Sequence, residues 1–232
     1  MIAAAGSGQR LGAGGPKAFV PVAGRAMVEW SITACRAAPS VRSIVLACPP
    51  GHVHGLAGDD LNTVDGGSTR AESVSNALEV VDTELVAIHD AARPLITPEL
   101  IEDVIATLVA DPDAAGAIAA TSVTDTIKQA AQGTKRGFSV SGMENPRLII
   151  ESTLARERLW AAQTPQVFQV KALREALAVD SERLAEATDE GMMVEAAGGR
   201  VLIHPSASEN LKVTTPLDLK LAELLLTERS AQ

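Results

Sequence analysis

The chain has 232 residues, 46% of them hydrophobic and 21% charged, so it can bury a core without disulfides or a structural metal and is too apolar to be disordered. Aromatic residues are 2% of the chain and tyrosine is absent, which excludes the base-stacking platforms of single-strand and RNA-binding proteins. Twenty Lys and Arg against 29 Asp and Glu give a net charge of −9, which excludes a duplex binder, since phosphate neutralisation needs a basic face.

Short apolar runs alternate with helical patterns along the chain. Residues 2–5 form a strand stub. Residues 27–37 predict a helix and 43–48 a buried strand. A short strand at 61–65 precedes a helix over 69–81. Residues 85–89 form the next strand. Thr97-Pro98-Glu99 opens a helix, with Thr as N-cap and Pro at the first helical position. Small residues at 114–120 predict a strand. A late strand covers 201–204, and Thr215-Pro216 starts a last helix running through Leu226. This alternation predicts an α/β fold with a mostly parallel sheet, as one domain over 1–232. Two segments interrupt it. Residues 6–17 form a glycine-rich loop straight after the first strand. Residues 128–152 are polar and irregular, with strand-like pieces at 138–140 and 148–150, and predict a projecting β arm.

Cys35 and Cys48 are too sparse for a disulfide framework and predict reduced, buried thiols. No apolar run approaches the ~18 residues of a membrane span, and Met1-Ile2-Ala3-Ala4-Ala5-Gly6 is no signal peptide. The expected location is the cytoplasm, with neither nucleic acid nor membrane as partner. Up to Gly58 the charges are Arg10, Lys17, Arg25, Arg36 and Arg42 against Glu29 alone. A small anionic ligand near the N-terminus fits that bias.

The glycine loop reads Ala4-Ala5-Gly6-Ser7-Gly8-Gln9-Arg10-Leu11-Gly12-Ala13-Gly14-Gly15-Pro16-Lys17. It is no P-loop, because Lys17 follows Pro16 and precedes Ala18. It is no dinucleotide fingerprint either. Leu11 occupies the third glycine position, and the second strand ends in Cys48-Pro49-Pro50 without an acid for a ribose. What remains is a backbone that can approach phosphate oxygens, with Arg10 and Lys17 on either side of the glycine cluster. That is a cradle for a polyphosphate at the carboxyl end of a strand.

His89-Asp90-Ala91-Ala92-Arg93-Pro94 follows the strand at 85–88. Asp90 there can hold Mg²⁺ against nucleotide phosphates, and Arg93 can fork onto a phosphate. The alternative is that Asp90 caps a turn and Arg93 is a surface charge. His52 and His54 lack a third metal ligand. His89 and His204 are isolated, so no Ser/His/Asp set forms, and neither cysteine is marked as a nucleophile.

Taken together, these segments resemble the 2-C-methyl-D-erythritol 4-phosphate cytidylyltransferase family. The matching pieces are Ala4 to Gly8 with Arg10, Pro16-Lys17, Val64-Asp65-Gly66-Gly67 with Arg70 and Ser73, and His89 to Pro94. Further on come Asp125-Thr126-Ile127-Lys128, Arg156 ahead of Trp160, Thr164-Pro165-Gln166, Thr188-Asp189-Glu190 and Asn210-Leu211-Lys212-Val213-Thr214. The resemblance implies a Rossmann-like nucleotidyltransferase that joins CTP to methylerythritol phosphate and releases pyrophosphate. It implies that Arg10 and Lys17 stabilise the reacting α-phosphate, with Arg156 and Lys212 as further catalytic residues, and that Asp90 holds Mg²⁺. Ala4, Ala5, Gly6, Gly8, Gly67, Ser68, Ser73, Asp90 and Ala91 would bind the nucleotide. Arg93, Thr126, Arg156, Thr188, Glu209 and Lys212 would bind the methylerythritol phosphate. Ser68 stands where the family often has an acid. The 128–152 arm would join two chains into a homodimer. Competing readings are a cytidylyltransferase for ribitol 5-phosphate or another polyol phosphate, and a nucleotide-binding regulatory module without catalysis. A dinucleotide-dependent reductase is disfavoured by Leu11 and the missing ribose acid.

Overall fold

The computed structural model describes the chain except residues 7, 9–10, 12–14, 53–57, 137–145, 180–183, 185 and 231–232; of 132–136 and 146–147 it describes the backbone alone. In chain order the strands are β1 (Ile2–Ala3), β2 (Pro21–Val22), β3 (Arg25–Ala26), β4 (Ile44–Cys48), β5 (Leu61–Asp65), β6 (Leu85–Asp90), β7 (Gly116–Ser122), β8 (Lys128–Arg136), β9 (Pro146–Thr153), β10 (Trp160–Gln169) and β11 (Val201–Pro205). The helices are α1 (Met27–Ala37), α2 (Arg70–Leu78), α3 (Pro98–Val109), α4 (Val170–Leu177), α5 (Glu190–Ala196) and α6 (Pro216–Ser230).

The chain divides into two units: Met1–Ala120 with Ala162–Gln232, and Thr121–Ala161. The larger unit is built on a sheet of order β11-β7-β10-β6-β1-β4-β5. Strand β1 lies parallel to both β4 and β6, and β4 is parallel to β5. Strand β10 runs antiparallel to β6. The expected α/β architecture with a mostly parallel sheet is therefore present.

Burial on both faces explains the continuous apolar runs. In β4, Ile44, Leu46 and Cys48 pack with Val28 and Ile32 of α1, while Val45 and Ala47 pack with Ala77 of α2. On the same face as α2, Val86, Ile88 and Phe168 meet α2, α4 and α5. Phe168 is fully buried, which contributes about 1.5–3 kcal/mol. Gly116 makes room for it, since a Cβ there would overlap the phenyl ring. Helices α2 and α3 start at the threonine caps Thr69 and Thr97, whose hydroxyls accept from Glu72 N and Leu100 N.

Strand β10, helices α4 and α5 and the two-residue strands β2 and β3 have no counterpart in the sequence reading. Strand β10 is polar and contains Pro165, features that argue against a central strand. Helices α4 and α5 are short, at 8 and 7 residues. Helix α4 nevertheless buries Val170, Leu173, Ala176 and Leu177 at helical spacing.

In the smaller unit, β8 and β9 form an antiparallel ladder from Lys128↔Thr153 to Arg136↔Pro146. The polar stretch expected to be irregular is a strand from Lys128 onward, because cross-strand pairing needs no apolar face. The expected strand piece at 138–140 lies outside the described residues, as does His54.

Candidate active site

The first strand decides where a ligand can bind. Strand β1 has β4 on one side and β6 on the other, so successive connections diverge at its carboxyl end and open a crevice there. Ala4 N donates to Ala47 O (2.8 Å) and Ala91 N to Ala3 O (3.1 Å). The glycine loop therefore leaves the sheet pinned between its two neighbours.

Gly8 has φ +69°, and a Cβ there would lie 2.9 Å from Gly15 O and 3.1 Å from Lys17 Cβ. Only glycine fits both the left-handed backbone and the space. Lys17 N donates to Gly6 O at 3.0 Å, closing the loop. Opposite, Gly66-Gly67 passes so close to β1 that a Cβ on Gly66 would overlap Ala5 Cβ, and one on Gly67 would overlap Glu72. Gly67 N donates to Ser73 Oγ (3.0 Å), and Ser68 N and Oγ donate to one Glu72 oxygen (2.7 and 2.6 Å). Those bonds hold the half-buried Glu72 carboxyl below its usual range.

The cleft there has a volume of about 700 Å³, within the range of small-molecule sites. Ala4, Ala5, Gly6, Gly8, Lys17, Gly67, Ser68, Ser73, Asp90, Ala91 and Lys212 line it, with Thr69, Arg70 and Thr214 added. The structure thus brings all nine of the expected nucleotide residues, Asp90 among them, together with Lys17 and Lys212.

Asp90 is the charge centre of the wall. Its Oδ1 accepts from Arg70 Nε at 2.8 Å and its Oδ2 from Lys212 Nζ at 2.6 Å. Burial alone would raise this carboxyl; Arg70 and Lys212 outweigh it and hold Asp90 far below the carboxylate range. Arg70 continues to Glu190, donating from Nη1 to both carboxylate oxygens (2.5 and 2.7 Å). Glu190 is buried, which pushes its carboxyl up against the pull of Arg70.

Behind Asp90 lies a neutral relay. Asp90 N donates to Thr164 Oγ1 (3.2 Å), which lies 2.9 Å from His89 Nδ1, and His89 Nε2 lies 3.2 Å from Arg93 O. A carbonyl only accepts, so Nε2 carries the proton and Nδ1 accepts from Thr164. Burial lowers the His89 pKa to about 3, so this imidazole is neutral at working pH. It is fully engaged and fixes the Asp90 backbone.

Other expected residues lie elsewhere. Arg93 is not the surface charge of the alternative reading, and it is not in the cavity wall. It is 8% exposed and donates to Asn210 O (2.7 Å) and Ala162 O (3.2 Å). Thr188 is exposed, with its hydroxyl 3.6 Å from Met192 Sδ, and Glu209 is exposed beside Ser208; neither lines the cavity. In the smaller unit Thr126 is exposed, and Arg156 opens a short 3-10 turn and donates to Thr124 O at 2.6 Å. Arg10 lies outside the described residues. Arg70 and Glu190 had no role assigned from sequence. The signal for Arg70 is its place at the start of a helix soon after Gly66-Gly67; Glu190 lies in the matching stretch Thr188-Asp189-Glu190, but nothing local ties it to Arg70, 120 positions away.

The profile of the IspD family, 2-C-methyl-D-erythritol 4-phosphate cytidylyltransferase, matches residues 1–228. The chain belongs to this family. The 2-C-methyl-D-erythritol 4-phosphate cytidylyltransferase of Haemophilus influenzae strain PittEE is 38% identical over 98% of this chain and 95% of its own. That of Synechococcus sp. strain WH7803 is 38% identical over 99% of both. Among solved structures of the family, the Thermus thermophilus enzyme matches with a TM-score of 0.75 at 32% identity, covering 97% of both chains. The Francisella tularensis enzyme matches with 0.76 at 27% identity, covering 96% of both. Family membership accounts for the glycine loop and the Asp90 strand together. Among the described residues no helix is long and apolar enough to cross a membrane.

Proposed function

We propose that this chain transfers the cytidylyl group of CTP to 2-C-methyl-D-erythritol 4-phosphate, a step of isoprenoid biosynthesis. The observation that carries the reading is the cavity at the end of β1. In a member of this family, it joins a backbone cradle and Lys17 to the Asp90–Lys212 pair. An oxygen of the methylerythritol phosphate attacks the α-phosphorus of CTP. The bond from that phosphorus to the bridging oxygen breaks, and pyrophosphate leaves. The attacking monoester has a second pKa of about 6, so it is already mostly dianionic at neutral pH and needs no general base. The neutral, fully engaged His89 agrees with that. The protein's work is alignment and charge screening. Lys17 serves the α-phosphate, the role the family resemblance also implies for Arg10, and small groups at Ala5, Gly67 and Ser73 admit cytosine and exclude purines.

Mg²⁺ suits the donor set. Asp90 is one carboxylate in a wall without another, and no cluster of three His, Cys, Asp or Glu exists among the described residues. Mg²⁺ is typically held by one or two carboxylates, with substrate phosphates and water as the rest. Asp90 would hold it, with Lys212 yielding Oδ2. Bound there, it would neutralise phosphate charge.

Pyrophosphate release is the test. Turnover is expected with CTP and methylerythritol 4-phosphate, and little with ATP or with ribitol 5-phosphate. Equal rates with ATP would sink the cytidine assignment. Tight CTP binding without turnover would favour the regulatory module.

The protein works as a cytoplasmic homodimer joined through the 128–152 arm. Support comes from Leu148, Ile149 and Ile150, which are 71%, 58% and 62% exposed on β9. Three adjacent exposed apolar residues on a strand call for a partner. Arg156 then serves the methylerythritol phosphate of the other chain. Mixing inactive Lys17→Ala chains with inactive Arg156→Ala chains is expected to restore activity, because one site of the mixed dimer carries neither lesion. Exchange of subunits without recovery would refute the shared site.

A further inference from the structure

Lys212, Asp90, Arg70 and Glu190 form one chain of ion pairs. The first three line the cavity; Glu190 does not and is 1% exposed. A buried carboxylate is hard to desolvate and persists where it is paired and held. Glu190 reaches the site through one group, Nη1 of Arg70.

The frame around Glu190 is the frame that carries Asp90. Asp189 caps α5 by accepting from Met192 N (2.8 Å), and its other oxygen accepts from Gln166 Nε2 (3.0 Å). Gln166 Oε1 in turn accepts from Gly191 N (3.3 Å). Gln166 sits on β10 opposite Ile88, two residues before Asp90 on β6. Arg70 comes from a different element, α2, and is clamped between the two carboxylates. Without Glu190 a long, rotatable side chain would rest on Asp90 alone.

Charge gives a second argument. Lys212 and Arg70 are +2, Asp90 and Glu190 −2, so the set is neutral. Neutralising Glu190 leaves +1 around Asp90, and a divalent cation would be repelled from it.

We propose that Glu190 is a positioning residue for nucleotidyl transfer: by binding Arg70 from behind, it fixes Arg70 on Asp90 Oδ1 and offsets the guanidinium charge, so that Asp90 keeps an anionic oxygen for the cation of the bound nucleotide. This rests on the cytidylyltransferase reading above. Calorimetric titration of CTP at a series of Mg²⁺ concentrations, without the second substrate, tests it. Glu190→Gln is expected to raise the Mg²⁺ needed for half-maximal CTP binding by ~10-fold, with CTP affinity at saturating Mg²⁺ changed by less than ~3-fold. In an Arg70→Gln background the same substitution is expected to shift the Mg²⁺ midpoint by less than ~2-fold, because Glu190 acts through Arg70. Should Glu190→Gln not fold, Glu190→Asp keeps the charge but is one methylene shorter, and is expected to shift the midpoint in the same direction. A folded variant with the parental Mg²⁺ midpoint, or an undiminished shift in the Arg70→Gln background, overturns the proposal. If neither variant folds, Glu190 is a structural residue and the proposal fails. Unsubstituted protein that releases no pyrophosphate from CTP and methylerythritol 4-phosphate overturns the underlying reading, and this inference with it.

Discussion

Asp90→Asn is expected to lower turnover by ~10³-fold or more, a loss of about 4 kcal/mol of transition-state stabilisation. The side chain keeps its shape, but its charge disappears from the one carboxylate of the cavity wall. The geometry makes the replacement worse than neutral. Arg70 Nε and Lys212 Nζ both donate to Asp90, at 2.8 and 2.6 Å. An amide offers one acceptor and one donor, so its NH₂ must face one of those donors. The Arg70–Glu190 pair survives, and Lys212, with 40% of its side chain exposed, can turn to water. Folding should therefore persist with a loss of about 1–3 kcal/mol. Added Mg²⁺ is expected to restore part of the activity at most. A variant with unchanged Mg²⁺ dependence would place the metal ligand elsewhere.

The parts of this site that are local in sequence were legible before the structure. The glycine loop follows a strand, and the acid closes one; both follow from backbone rules that act over a few residues. The Thr97 cap and the buried runs of β4 and β6 were legible for the same reason. What stayed hidden is non-local or polar. Strand β10 carries Gln163, Thr164 and Gln166, all buried, so neither hydrophobic alternation nor composition marks it. Its polar residues are buried because they join Asp90, Asp189 and Asn210 across the sheet. Arg93 is a similar case. Beside Asp90 in sequence it reads as a phosphate fork, yet its guanidinium is turned inward onto two carbonyls. Carbonyls that meet it from 69 and 117 positions away cannot be inferred from its neighbours.

Lys17→Ala is expected to lower kcat by ~10²–10³-fold while leaving the fold intact. The fold should survive because the loop is anchored by other groups. Ala18 is 3% exposed and packs in the cluster of β1, α1 and β4. The Lys17 amide closes the loop on Gly6, and its backbone N and Cβ pack beside Gly8. An alanine retains the backbone amide and the Cβ, so the cradle keeps its form. What is lost is an ammonium in the cavity wall. A triphosphate is charged before reaction, so part of that loss must appear as weaker CTP binding and a higher KM. The share that appears in kcat measures charge stabilised only as the α-phosphate passes through its transition state. A variant with raised KM and near-normal kcat would make Lys17 a binding residue alone. Far-UV circular dichroism and the thermal midpoint, measured on the same protein, separate either result from misfolding.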